Sequence, residues 1–290
     1  MPDAPKWSVL ELLNWTTDFF QSAGNESPRL DAEVLLAEAL GCRRIDLYTR
    51  FDEVPPVATR DAFKALVKQR GEGAPVAYLV GSREFYSLEL HVERGVLIPR
   101  PETELLVVKA LDAINEADRD VIVADVGCGT GAIAVAIAHQ AERAKVVAID
   151  QNPSAVELTR KNAERHGVAE RVHAMQGDLF SRVKADRRFD LIVSNPPYVT
   201  TNELIDLDPT VRDHEPHEAL DGGPDGCDVI RRLLAAAPDR LAPGGELLVE
   251  VSPTIVGLVS ELVERTPGLT AGAVLKDLAG LPRVVTATAG

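Results

Sequence analysis

The most restrictive chemistry in the sequence lies in "VSNPPYVT", residues 193–200, directly after the apolar run "FDLIV". Pro196 and Pro197 donate no hydrogen bond and hold φ near −65°, and a residue before proline is driven out of helical geometry. A strand entering this corner must stop there, stiff and extended. The Asn195 side chain and the carbonyl of Asn195 or Pro196 are thereby set as acceptors, with the Tyr198 ring expected beside them. Two acceptors and an aromatic wall suit a planar NH2 group. Hydrogen bonds to both its hydrogens align the nitrogen lone pair, and the ring face supports the positive charge that develops when the nitrogen attacks an electrophile. The competing reading is a rigid turn without chemistry.

Three other loops follow apolar runs. "DVGCGTGAIA" places Gly127, Gly129 and Gly131 at every second position, where the missing Cβ atoms allow close backbone approach to a ligand. The spacing is not that of the dinucleotide pattern G-x-G-x-x-G, although a dinucleotide site or a structural turn stays open. Asp150 closes "KVVAID" about 20 residues on, the distance at which a carboxylate receives ribose hydroxyls. The alternative is that it caps the helix following Asn152-Pro153. In "GDLF", Asp178 and Leu179 would offer an acceptor and apolar surface to an adenine, or simply form a turn.

These loops need a frame. From "VIVADVG" onward, short runs rich in Val and Ile ("KVVAID", "VHAMQGD", "FDLIVSN", "GELLVEVS") alternate with helical segments, one of them near 227–237. Two last strands are expected around 270–276 and 283–288. The pattern predicts an α/β fold: a doubly wound, Rossmann-like sheet of seven buried parallel strands, with ligands held outside the strands' carboxyl ends. Residues 1–74 read as a small helical bundle, with Leu10, Leu13 and Phe20, then Leu30, Val34 and Leu35, then Phe63, Leu66 and Val67 on the inner faces. Ser27-Pro28 reads as a helix start and Gly71 as a helix end. Residues 75–98 form a linker with a β-hairpin, in which Leu88, Leu90 and Val92 share a face, "ERG" turns and "VLI" returns. Residues 99–290 make the main domain, beginning with a helix at "PRPETELLVV".

Composition narrows the partners. With 31 Lys and Arg against 45 Asp and Glu, the formal net charge is −14, and the basic residues are scattered, so a phosphate backbone finds no broad footprint. Direct nucleic-acid binding is not expected. No segment is apolar for the length of a membrane span, the first residues do not resemble an export signal, and Cys42, Cys128 and Cys227 fit neither a disulfide framework nor a zinc spacing. A cytoplasmic protein without a metal is expected. "HEPHE", with His214, Glu215, His217 and Glu218, would be a polar loop near the site rather than a metal centre, because Pro216 breaks any helix and no further ligand is evident.

Taken together, "PVAYLVGSREFYSLEL", "IPRPETELLV", "DVGCGTGAIAVAIA", "VSNPPYV", "EALDGGPDG" and "DLAGLPRVV" resemble the HemK/PrmC family over nearly the whole chain. These are class I S-adenosylmethionine-dependent methyltransferases that modify the side-chain nitrogen of glutamine in peptide chain release factors. The resemblance implies that residues 127–131 (Gly127, Cys128, Gly129, Thr130, Gly131) face the cofactor, with Asp150 at its ribose and Asp178 and Leu179 at its adenine. It also implies that Asn195, Pro196, Pro197 and Tyr198 hold the substrate glutamine, Asn195 bordering the cofactor too. The helical front domain would recognise the release factor, and Arg100 and Glu102 would close over the site. The chain departs from the family pattern at Ser252 and Ile255, where Gly and Gln are usual, and at Leu281-Pro282, where Arg-Asp is usual. Adenine N6 of DNA or RNA is the rival amine, and a glutamine in a ribosomal protein the rival protein target.

Overall fold

The computed structural model describes residues 7–290, which divide into two compact units. One comprises the described residues up to Gly81 together with Pro209–His214, and the other Ser82–Asp208 with Glu215–Gly290.

In the first unit, α1 (Val9–Ser22), α2 (Pro28–Leu40), α3 (Val57–Gly71) and the short α4 (Val76–Val80) pack around Leu13, Phe20, Leu35, Leu36 and Phe63. A capping box starts α1: Glu11 N donates to Ser8 Oγ at 3.3 Å and Ser8 N to Glu11 Oε2 at 2.8 Å. Leu10 and Leu30, expected inside, are exposed, because the buried stripes run through Val9, Leu12, Leu13 and Thr16 on α1 and through Ala32, Leu35 and Leu36 on α2. Pro28 does open α2, although the Ser27 side chain makes no capping bond. Gly71 is the last residue of α3 rather than the residue beyond it, and it leaves room for the Phe19 ring, 2.9 Å from where a Cβ would sit.

The second unit opens with the hairpin of β1 (Ser82–Phe85) and β2 (Leu88–His91), joined by Tyr86 and Ser87, both at left-handed φ of 50° and 60°. This corrects the predicted hairpin. The turn is "YS", the left-handed pair that suits strand twist, without the Gly or Asn that usually announces it. Glu93, Arg94 and Gly95 do turn, but "VLI" forms no strand: Val96 packs on Ala155 and Leu158, and Ile98 N donates to Glu215. Asn162 fastens the hairpin from outside. Its Oδ1 accepts from His91 N at 2.7 Å, and its Nδ2 donates to His91 O at 3.0 Å and to Thr130 O at 2.8 Å.

The remainder alternates: α5 (Glu104–Ala117), β3 (Val121–Val126), α6 (Ala132–Gln140), β4 (Ala144–Asp150), α7 (Pro153–Arg165), β5 (Val172–Gln176) and β6 (Phe189–Ser194). The four-residue α8 (Pro209–Arg212) lies within the segment that folds with the first unit. Then come α9 (Asp228–Ala236), β7 (Leu241–Glu250), α10 (Val256–Glu264), β8 (Leu269–Lys276) and β9 (Pro282–Ala289). The seven-stranded sheet has the order β5-β4-β3-β6-β7-β9-β8. Alternate residues of each strand feed two cores, Val123, Val146 and Leu191 on one face with α5, α6 and α7, and Ala124, Ile192 and Leu247 on the other with α9 and α10. Five strands are parallel, as the continuous apolar runs require; β9 lies antiparallel to β7, and β8 to β9. Only residues 277–281 separate β8 from β9, too few for a crossover, so they pair as a hairpin, and β8 is largely exposed. No helix among the described residues is long and apolar enough to cross a membrane.

Candidate active site

The order of strands places β3 beside both β4 and β6, and chain connections leave in opposite directions on its two sides. At such a switch point the loops separate and leave a crevice. Register then decides which residues meet. Val126 pairs with Ile149 and with Ser194, so Gly127, Asp150 and Asn195 leave three adjacent strands side by side. Ser194 Oγ donates to Val126 O at 2.6 Å, and Gly127 N to Ile149 O at 2.8 Å, which locks the three ends together.

The glycine loop is held from both sides. Asp150 Oδ2 accepts from Gly129 N at 2.9 Å and Oδ1 from Asn152 N at 2.8 Å, while Asn152, not Asp150, caps α7. A carboxylate has about four lone-pair directions, so acceptor capacity remains beyond these backbone bonds. Burial raises the Asp150 pKa, and the backbone N–H groups of Asn152, Gly129 and Gln151 oppose that rise. At Gly131, φ is +79° and a Cβ would lie 2.8 Å from Thr159 Cγ2, so only glycine lets the loop rest on α7. Cys128 Sγ sits 3.4 Å from Thr159 Oγ1; burial, followed by the charges of Asp125 and Asp150, drives its thiol pKa up, which leaves a packing residue and no thiolate nucleophile.

A cavity of about 610 Å³ opens over these ends, a size typical of small-molecule sites. It is lined by Gly127, Cys128, Gly129 and Thr130, by Asp150, by Asp178 and Leu179, and by Asn195, Pro196 and Pro197. Gly131 and Tyr198, also named from the sequence, are not in the lining. Gly131 serves the turn beneath. Tyr198 is half-buried against the α9–α10 core, and its OH donates to Glu250 Oε1 at 3.4 Å, so the expected aromatic wall beside Asn195 is absent from this cavity. Burial and the nearby Glu250 charge push the Tyr198 phenol well above its usual pKa. Asp178 Oδ2 meets Arg232 Nη2 at 2.6 Å at the exposed rim.

Asn195 Nδ2 donates to Thr103 Oγ1 at 3.1 Å, which leaves the acceptor half of the amide, Oδ1, for the cavity. Thr103 and Arg100, both in the lining, belong to the turn before α5. Arg100 Nη2 donates to Glu215 Oε1 at 2.5 Å, and Ile98 N to Glu215 Oε2 at 3.2 Å. Glu215 was expected in a polar loop; instead its side chain is only 2% exposed and anchors the cavity wall. Glu250, at the end of β7, is buried too, and its pKa is pushed up to about 7 by burial, against the opposing influence of the Thr103 hydroxyl and Arg283.

Sequence reasoning missed Thr103 and Glu250, and placed Glu215 near the site without its anchoring bonds, because their partners lie far along the chain and a single Thr or Glu carries no local signal. "EALDGGPDG" was legible only as a resemblance, yet it clasps the proline corner. Val199 N donates to Leu220 O at 3.0 Å and Gly222 N to Val199 O at 2.8 Å, while a Cβ on Gly226 would lie 2.5 Å from Tyr198 O.

The family model described as the PrmC N-terminal domain matches residues 11–81, and that of the methyltransferase small domain matches residues 102–207. A release factor glutamine methyltransferase of Rhodopirellula baltica is 50% identical over 287 residues, 98% of this chain and 97% of its own length. One from Geobacter sulfurreducens is 43% identical over 265 residues, 90% of this chain and 91% of its own. Among solved structures, the 16S rRNA N2 G1207 methyltransferase of T. thermophilus, in complex with AdoMet and guanosine, has a TM-score of 0.54 at 22% identity, covering 72% of this chain and 50% of that one. This last likeness is one of fold. An asparagine at a proline corner, set beside a glycine loop and a partly buried carboxylate, thus occurs in a chain half identical to such an enzyme along almost its full length: the chain belongs to the release factor glutamine methyltransferase family.

Proposed function

We propose that the chain transfers a methyl group from S-adenosylmethionine to the side-chain amide nitrogen, N5, of a protein glutamine in the Gly-Gly-Gln loop of peptide chain release factors. The observation that carries this reading is the hydrogen bond from Asn195 Nδ2 to Thr103 Oγ1, which sets Oδ1 as the end left to accept from an incoming NH2 group.

The residues present suit the cofactor. Gly127 and Gly129 offer backbone without side chains, Asp150 keeps acceptor capacity for a ribose hydroxyl, and Leu179 with the Asp178 rim offers a place for a base. When bound, the cofactor supplies a methyl group made electrophilic by its sulfonium sulfur. The chain's own task is orientation. A glutamine amide is a weak nucleophile because its lone pair is delocalised into the carbonyl. Asn195 Oδ1 and a carbonyl of the proline corner accept its two hydrogens and turn the nitrogen lone pair along the line of displacement. The surplus proton leaves to solvent after transfer, so no general base is assigned.

The domain assignment belongs to the same reading: residues 1–74 recognise the release factor, 75–98 link, and 99–290 bind cofactor and react. A cytoplasmic location, where release factors work, goes with it. Incubation with labelled cofactor should mark the glutamine of a Gly-Gly-Gln loop. Asn195→Ala should lower the rate by about 10²-fold, the scale of lost orientation, with cofactor affinity nearly unchanged. Label found only in nucleic acid, or full activity in that variant, would overturn the assignment.

A further inference from the structure

The base end of the cavity, at Asp178 and Leu179, has a second wall. Helix α9 sends Val229 and Arg232 into the lining, and residues three apart share a helix face. Of its two adjacent arginines, Arg231 is spent close to its own helix, donating through Nη1 to Asp225 at 3.0 Å and to Asp228 at 3.2 Å. Arg232 instead reaches 54 positions back along the chain, where its Nη2 donates to Asp178 Oδ2 at 2.6 Å. Both side chains of this pair are half exposed, so the bond adds little to stability. What it adds is orientation.

An aspartate at a rim can turn its carboxylate and offer either oxygen. Here the backbone and the carboxylate are both held. Asp178 N donates to Ser181 Oγ at 3.0 Å, Ser181 N to Asp178 O at 3.0 Å, and Arg232 takes Oδ2. Among the described residues no group donates to Oδ1, which remains as the acceptor. The same loop is tied to Asp150, because Gly177 N donates to Asp150 O at 2.9 Å. Leu179 follows with a φ of 48°, a left-handed backbone that leucine rarely adopts and that gathers at ligand sites. These features separate the loop from a plain turn.

A purine carries at its 6-position either an NH2, which donates, or a carbonyl, which accepts. We propose that Arg232 is a specificity-determining residue for the cofactor's base: by taking Asp178 Oδ2 it fixes Oδ1 as the acceptor of the slot, which then admits a 6-aminopurine and turns away a 6-oxopurine. Leu179 and Val229 supply apolar surface for the ring. A 6-oxo group would set acceptor against acceptor, and a carboxylate held by Arg232 cannot turn its oxygens aside. The proposal rests on the reading of Asp178 and Leu179 as the base end of the cofactor site.

The test reads binding to the full chain by calorimetry, with S-adenosylhomocysteine and its 6-oxo counterpart, S-inosylhomocysteine, as probes. The parent should hold the 6-amino probe about tenfold or more tighter. Arg232→Met keeps the length of the stem and removes the donor; affinity for the 6-amino probe should fall about three- to tenfold, while that for the 6-oxo probe does not fall. Arg232→Lys, whose point charge can still meet Oδ2, should keep a ratio nearer the parent's than Arg232→Met does. Asp178→Asn, an amide free to donate or accept, should bring the ratio to about one. A parent ratio near one, or equal losses for both probes in Arg232→Met, would overturn the role of Arg232, as would an Arg232→Lys that discriminates no better than Arg232→Met. Parent discrimination retained in Asp178→Asn would overturn the base slot and the proposal with it. No arm needs turnover, so a parent that modifies no glutamine substrate counts against the proposed function alone, and the binding ratios still decide the role of Arg232.

Discussion

Replacing Glu215 with glutamine should loosen the wall of the cavity without touching any group that meets the reacting atoms. The carboxylate holds Arg100 at 2.5 Å and the Ile98 N–H at 3.2 Å, with its side chain 2% exposed and that of Arg100 30% exposed. Breaking a fully buried ion pair costs about 3–5 kcal/mol, and a hydrogen bond to a charged group is worth about 1.5–3 kcal/mol. Glutamine keeps one acceptor for Ile98 but loses the charge facing Arg100, and partial exposure lets water rehydrate the guanidinium. A loss of about 2–3 kcal/mol is therefore expected, or a midpoint lower by about 4–12 °C at about 2–4 °C per kcal/mol. The same change frees Arg100 and with it the 95–103 segment that lines the cavity, so cofactor affinity should fall about three- to tenfold by calorimetry. A double-mutant cycle with Arg100→Gln isolates the pair: most of the loss should appear as coupling. Wild-type stability together with wild-type affinity in Glu215→Gln would refute the anchoring role.

Gly131→Ala combines a left-handed φ of +79° with a Cβ 2.8 Å from Thr159, and should destabilise by about 2–4 kcal/mol in denaturant titration. The pair Gly131→Ala and Thr159→Ala should recover part of that loss. Asp125, wholly buried on β3 with Oδ1 unpartnered, has its pKa raised from 3.8 to about 7, chiefly by burial. Its folded state prefers the proton. The stabilisation is complete below about pH 4 and is lost as pH rises to about 7, at about 1.4 kcal/mol per unit. Thermal midpoints should accordingly fall between pH 5 and pH 8, and Asp125→Asn should flatten that fall; an unchanged slope would show that the group is not coupled to folding.

The sheet was legible because parallel strands buried on both faces must be written as unbroken apolar runs, and because Gly127, Asp150 and Asn195 each stand at the end of one. Their convergence follows from the register in which Val126 pairs with Ile149 and Ser194. The hairpin was misplaced because Tyr86 and Ser87 adopt left-handed φ values that neither residue type advertises. Leu10 and Leu30 were assigned inward by spacing alone, whereas the neighbours that cover a helix decide which stripe is buried. The supports of the site stayed hidden for a different reason. Asn195 and Thr103 are 92 positions apart, and Arg100 and Glu215 are 115 apart, so no local pattern joins them. Tyr198 shows the converse limit: a motif named it as a neighbour of Asn195, yet the chain sends its ring to the other core.

Asn162 carries a consequence for how the molecule assembles. By offering His91 one donor and one acceptor, its side chain behaves toward β2 as a third strand reduced to a single amide, and its third bond reaches the glycine loop through Thr130. A two-stranded ribbon is barely stable in water unaided. This ribbon therefore draws part of its order from α7, 71 positions further along the chain, as well as from its own two strands.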